Sequence, residues 1–370
     1  MNNTLPTKND PKTDPSFLVS CLIGVLVFIS LFVLLEAGYR TGLLKGFLPI
    51  RSVGSYHSQF EQKLFKLDDY VNTYGGVDVI LLGNSMVNTG IMPGNVANEY
   101  NTLTGSKPRI FNFGVEGLTI SPISDIARIL VERYHPGTLI LFTEMRDYIA
   151  NNGDDVEQNF LDNPWIQLQL GNWSLKGAAV DRSVALQHLI SLRNWSRYDF
   201  YTSYNTSYNR YYRLTQTGYE EEARRPSVIT IVRDPDPNNP KDAANFALFK
   251  NYKMAIERIS DLQKVLYLHA QGTEVLVGEM PIYPTYYQYL ESDAVRTRYL
   301  TDISQFVESF DGTFIPNMNP MMIPVNGRAD DHHLNFIGAP IYSDYLGKEL
   351  GNLCLSDAVC LKLSAEDTVQ

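Results

Sequence analysis

VDVILLGNS, from Val77 to Ser85, is a short apolar run that stops abruptly at Gly83-Asn84-Ser85. A run of this length bounded by a turn signal has the form of a strand buried in a parallel sheet. Ligands of open α/β sheets bind outside the carboxyl ends of the strands. A hydroxyl at the tip of this strand is therefore well placed to act as a nucleophile. The far end of the chain carries what a serine nucleophile needs. Asp330-Asp331-His332-His333-Leu334 holds an Asp and a His three positions apart.

The segments around this strand repeat its pattern. A second strand is predicted at Pro108–Phe113, running into Gly114-Val115-Glu116-Gly117, and a third at Thr138–Thr143, running into Glu144-Met145-Arg146-Asp147. Between them, Ser121–Arg133 has helical periodicity, with Ser121 as the expected N-cap and Pro122 in the first turn. Further on, a long helix is expected at Ala243–Gln271, a strand at Glu274–Val277 before Glu279, a helix at Ser292–Ser309, a short strand at Thr313–Ile315 and a last helix at Phe336–Leu350. Strands alternating with helices imply a parallel sheet covered on both faces. Right-handed crossovers then bring the strand ends to one edge. Ser85, Gly117, Arg146, Glu279 and the Asp330–His333 segment all come after such ends.

Ser16–Leu35 is an uncharged run of 20 residues, the length of a membrane-crossing helix. It is too long for the apolar core of a cleaved leader, so an uncleaved single-pass anchor is expected. The chain divides into a polar tail (1–15), the anchor (16–35), a connector (36–76) with a helix near Phe60–Tyr70, an α/β body (77–350) and a C-terminal tail (351–370). Residues 148–240 interrupt the α/β rhythm and read as an insertion over the strand ends. The insertion holds all 3 Trp and a run of Tyr between Tyr198 and Tyr219. Such rings stack on sugars or pack against one another. Lysines and arginines number 31 against 41 acidic residues, for a net charge of −10, which argues against a nucleic-acid partner. Cys354 and Cys360 are spaced to close a small disulfide loop, in keeping with an exported body.

A serine hydroxyl is a weak nucleophile until a neighbouring base takes its proton. Histidine is the usual base, and a carboxylate fixes its tautomer. Asp330 and His333 can present both side chains on one side of a turn, whereas the adjacent Asp331 and His332 are expected to diverge. By donor type, Asp330, Asp331, His332 and His333 are also possible metal ligands, but no further His cluster accompanies them. His57, His135, His188 and His269 are scattered and expected to be structural or exposed. Asn84 is expected to shape the turn at Ser85, and Asn88 to cap the helix after it. A solvated loop before a helix, capped by Asn335, is the plainer reading of the Asp330–His333 segment.

GNS at 83–85, the glycine of VEG at 115–117 and DDHHL at 330–334 resemble the first, second and fifth blocks of the SGNH (GDSL-like) hydrolase superfamily. The anchor followed by such a body is similar to membrane-tethered proteins that O-acetylate alginate and to the D-alanyl transfer protein of teichoic acids. The resemblance implies a flavodoxin-like three-layer α/β sandwich with a central parallel sheet. It implies Ser85 as nucleophile, His333 as base, Asp330 as its orienting acid, and the backbone N–H groups of Ser85 and Gly117 as the oxyanion hole. It further implies an ester hydrolase or O-acyltransferase acting on a cell-surface or secreted polysaccharide, with no cofactor and no metal, in company with other membrane acyltransferase components. The body would lie outside the cytoplasm. The family's third block supplies an Asn, but this chain reads TEMRD at 143–147. Arg146 or Asp147 stands nearest that place. Arg146 is a candidate hydrogen-bond donor or contact for an anionic substrate, or else an ion-pair partner of Glu144 or Asp147; Glu279 is a candidate substrate contact or an ordinary loop carboxylate. The missing Asn and the aromatic insertion also fit a glycan-binding or assembly protein that keeps the fold without the catalysis.

Overall fold

The computed structural model describes residues 15–44, 50–55, 57–150, 155–191, 211–220 and 232–363 of the 370. Five strands form one sheet: β1 (Val79–Gly83), β2 (Ile110–Gly114), β3 (Thr138–Thr143), β4 (Glu274–Glu279) and β5 (Thr313–Phe314). Their order is β2-β1-β3-β4-β5, and every pairing is parallel. This is the flavodoxin-like order. β1 through β4 are buried along their whole length, which is why they read as unbroken apolar runs and not as alternating ones.

Helices cover both faces. Ser85–Gly90 (α3) and Pro93–Thr104 (α4) lead from β1 to β2, and Ile120–Tyr134 (α5) from β2 to β3. The chain leaves β1 in one direction and returns past it in the other. Right-handed crossovers therefore put α4 and α5 on opposite faces. The expected Ser121 cap is displaced by two positions. Thr119 is the N-cap residue of α5, and Ser121 already lies inside the helix. The expected long helix at Ala243–Gln271 is two helices with a break between them, Pro240–Phe249 and Ile256–Leu266, followed by a 3-10 turn at Tyr267–Gln271. Phe249 and Leu262 both point into the core, but Asn251 sits in the left-handed region (φ 55°), so the chain turns there. The last helix, Gly338–Leu355, packs on α4 and ends near a disulfide between Cys354 and Cys360.

Helix α1 (Pro15–Arg40) is long and apolar enough to cross a membrane, and the apolar span within it is not buried against the body. It runs past the expected end at Leu35, and its last turn docks on the body. Glu36 accepts hydrogen bonds from Ser183 Oγ (2.8 Å), Val184 N (3.1 Å) and Ala185 N (2.9 Å), at the start of helix Val184–Ser191. Tyr39 stacks on His188 at 4.3 Å. Within 36–76, helix α2 (Ser58–Tyr74) buries Phe60, Leu64, Leu67 and Tyr70 in the core. The described parts of the 148–240 insertion include the short helices Asp155–Leu161, Pro164–Gln169, Leu175–Arg182 and Val184–Ser191, and residues 211–220. Thr217 O accepts the N–H of Asn112 (2.8 Å), so this last piece covers the outer edge of β2. The Tyr-rich run at 198–210 lies outside the described residues. Tyr211, just after it, packs on Tyr212 and Lys66.

Two glycines let α3 sit against the sheet edge. A Cβ on Gly114 would lie 2.2 Å from the backbone N of Asn88 in α3, and one on Gly83 would lie 2.6 Å from Val87 Cγ2 in α3 and 2.8 Å from the carbonyl O of Phe142 in β3. At Gly114 every close neighbour is backbone of Val87 and Asn88, so backbone would have to move. Gly114→Ala is expected to lower stability by about 1–3 kcal/mol, the usual cost of overpacking. Thermal unfolding of the detergent-solubilised full chain measures this, and an unchanged Tm would contradict the close approach.

Candidate active site

In the order β2-β1-β3 the connections leave β1 and β3 in opposite directions, which opens a crevice between their carboxyl ends. Ser85 lies at one lip, directly after β1, and Glu144–Asp147 at the other, directly after β3. Ser85 is the first residue of α3. Asn84 is the N-cap, and its side chain accepts from Met86 N at 3.0 Å. The turn thus leaves Ser85 part-exposed among buried neighbours.

The Asp330–His333 segment reaches this crevice from the far end of the chain. Ser85 Oγ lies 2.7 Å from His333 Nε2. His333 Nδ1 lies 2.9 Å from both carboxylate oxygens of Asp330. Asp330 Oδ1 also accepts the backbone N–H groups of His332 (3.1 Å) and His333 (2.7 Å). Burial alone would raise the Asp330 pKa. The hydrogen bonds from His333 and the nearby His332 outweigh it and hold the carboxyl well below the usual range. An ionised carboxylate only accepts, so Nδ1 carries the ring proton and Nε2 presents a lone pair to the Ser85 hydroxyl. Those are the positions of a general base and its orienting acid.

The loop that carries these residues is braced. Ala329 N donates to His333 O (2.9 Å), and Arg328 and Leu334 form an isolated bridge. Arg328 is fully buried. It donates to Pro281 O and Pro320 O (2.8 Å each), and burial pushes its pKa down to about 10. Asn335 closes the loop ahead of the last helix, accepting from Ile337 N at 2.9 Å. Contrary to expectation, Asp331 and His332 do not diverge. His332 Nδ1 lies 2.8 Å from Asp331 Oδ1, the two side chains being drawn together by their own hydrogen bond, and Tyr283 N donates to the Asp331 carbonyl (2.7 Å). Asp330, His332 and His333 bring potential metal-ligand atoms within 4.8 Å of one another. Both ring nitrogens of His333 already face Asp330 and Ser85.

Gly117 is exposed at the turn after β2 with φ 75°, a left-handed conformation that favours glycine. His57 and Gln59 hold this turn. His57 Nε2 donates to Glu116 O (2.9 Å), Glu116 N donates to Gln59 Oε1 (2.6 Å), and His57 Nδ1 accepts from Phe60 N (3.3 Å). Asn88 is no helix cap. It is buried within α3, and its Nδ2 donates to Glu220 (2.8 Å); α4 begins instead with Met92 as N-cap and Pro93 in its first turn.

Arg146 pairs with Glu144 at 3.0 Å and keeps about a third of its side chain (34%) exposed. Glu279 is buried. Its carboxylate meets Arg296 (3.3 Å), Tyr287 (3.4 Å) and Asn317 (3.4 Å). Glu144, Tyr286 and Arg328 were not singled out in the sequence. Glu144 offered the strongest signal, a charged residue immediately after an apolar strand.

No protein-family model matches the sequence. No curated protein matches it either. Among solved structures, the chain is similar to a gut microbial diltiazem-metabolizing enzyme, at 11% identity and a TM-score of 0.34, over 74% of this chain and 47% of that one. The chain thus spans about half the length of that protein.

Two buried carboxyls lie near the site with raised pKa values. Burial lifts Glu279 from 4.5 to about 7 against the pull of Arg296. Burial, then the charge of Glu144, lifts Asp147 from 3.8 to about 8. Each keeps a proton in the folded chain that the unfolded chain has released. Stability therefore falls as pH rises from about 4 to about 8. Glu279→Gln should remove part of that slope, on the order of 1–3 kcal/mol between pH 4.5 and 7. Urea titrations at several pH values measure it, and an equal slope in the variant would count against the assignment.

Proposed function

We propose that this chain is a membrane-anchored serine esterase or O-acyltransferase of the SGNH type, acting on a cell-surface or secreted polysaccharide. The observation that carries the reading is the hydrogen-bonded line Ser85–His333–Asp330 at the β1/β3 crevice. His333 Nε2 takes the Ser85 proton as Oγ attacks the acyl carbonyl. Asp330 steadies the imidazolium that results. The tetrahedral oxyanion is received by the backbone N–H of Ser85, which as a first-turn amide has no partner within its helix, and by that of Gly117. His333 then returns the proton to the departing alcohol, leaving an acyl-Ser. Water or a sugar hydroxyl, deprotonated by the same His, completes the turnover. Arg146 is the candidate contact for an anionic group of the substrate.

The apolar helix α1 and the Cys354–Cys360 disulfide support an anchored body outside the cytoplasm. As a transferase, the protein would receive its acyl group from another membrane acyltransferase component.

Incubation of the purified full chain with a fluorophosphonate probe and with an acetyl ester tests this reading. Wild type should label and turn over. Ser85→Ala should lose labelling, and His333→Ala should lower turnover by about 1,000-fold or more. An unlabelled wild type would favour a non-catalytic glycan-binding protein, and labelling that survives Ser85→Ala would exclude Ser85 as nucleophile.

A further inference from the structure

The residue opposite Ser85 across the crevice has no part in the acyl transfer itself. Glu144 is fully buried at the end of β3. Its Oε1 accepts from Asn84 Nδ2 (3.2 Å) and from Arg146 Nη2 (3.0 Å). Its Oε2 accepts from the hydroxyl of Tyr286 (3.2 Å).

Each partner belongs to a different part of the site. Asn84 directly precedes Ser85 and is held at both ends. Its oxygen accepts from Met86 N inside the turn, and its amide reaches across the crevice. Tyr286 lies against the His332 ring (5.3 Å), which lies against the His333 ring (4.0 Å). Arg146 is the cation at the rim. One carboxylate therefore binds the nucleophile's turn and the rim cation directly, and reaches the base's loop through Tyr286.

We propose that Glu144 is the positioning residue of this site: it takes no proton and touches no reacting atom, but fixes the Ser85 turn relative to His333 and orients Arg146. The proposal rests on the reading of Ser85 as nucleophile. A buried carboxylate is costly unless paired and hydrogen-bonded, and here a guanidinium and two neutral donors compensate it. Removing the charge leaves Arg146 without that partner and the Asn84 amide free to turn. A misplacement of about 1 Å at a reacting atom can cost on the order of 100-fold in rate.

The test compares full-length wild type, Glu144→Gln, Glu144→Asp, Tyr286→Phe and Ser85→Ala in detergent. The readouts are p-nitrophenyl acetate hydrolysis, the fluorophosphonate labelling rate and Tm. Glu144→Gln is expected to lower kcat and the labelling rate by about 10- to 100-fold, with KM for this small neutral ester within about twofold. Glu144→Asp keeps the charge and should recover part of the loss. Tyr286→Phe removes one donor to Glu144 but keeps the ring against His332, and should give a smaller loss in kcat than Glu144→Gln, with at most a modest fall in Tm. A kcat within about twofold of wild type in Glu144→Gln would overturn the proposal while leaving Ser85's role intact. So would a loss that tracks Tm alone and that Glu144→Asp does not recover. Activity that persists in Ser85→Ala would overturn both readings together.

Discussion

The hydrogen bond between Ser85 and His333 joins positions 248 residues apart, and it depends on the strands between them running the same way. Parallel strands must be linked by crossovers, so each strand delivers its carboxyl end to one edge of the sheet. β1 leads there into Ser85. β3 leads there into Glu144, and β4 ends in Glu279, just before the Pro281 carbonyl that anchors Arg328. The loop carrying Asp330 and His333 is fastened to that last connection by Arg328 and by the Tyr283–Asp331 backbone bond. Were β1 reversed, Ser85 and His333 would stand at opposite edges.

The charges at this edge are sorted by their partners. Asp330 is surrounded by donors from the His332–His333 backbone and the His333 ring, which keep it ionised and able to hold an imidazolium. Glu279 and Asp147 are buried with less compensation, and their carboxyls retain protons to higher pH. Glu144 lies between these groups with three side-chain donors on its two oxygens. The edge thus places one strongly anionic carboxylate beside the imidazole and keeps two proton-retaining carboxyls beneath the surface.

The sheet was legible in the sequence because a doubly covered parallel strand is apolar at every position. All five strands were anticipated, with shifts at their ends of no more than about two residues. Ser85 stood out because it closes such a run at the sheet edge, and Asp330 and His333 because an Asp and a His three apart suit a base and its orienting acid. Features governed by distant partners were hidden. Asn251 breaks the helix expected across Ala243–Gln271; a lone Asn tolerates the left-handed turn but is too common inside helices to announce it. Asn88 looked like a cap and is instead a buried partner of Glu220, a residue of the insertion. Glu144 and Arg328 draw their importance from contacts with Asn84, Tyr286, Pro281 and Pro320, which no local pattern encodes. Arg146 stands after the third strand within reach of both Glu144 and Asp147 along the sequence, and the fold selects Glu144 as its ion-pair partner at 3.0 Å.

The central claim is that Ser85 carries the acyl group during turnover. Acid-quenching the full chain after brief exposure to an acetyl ester, digesting it and weighing the peptide that contains Ser85 tests this directly. The account predicts a fraction of that peptide one acetyl group heavier, with the group on Ser85. An acetyl group confined to other residues, or turnover with no acylated peptide at any quench time, would contradict it.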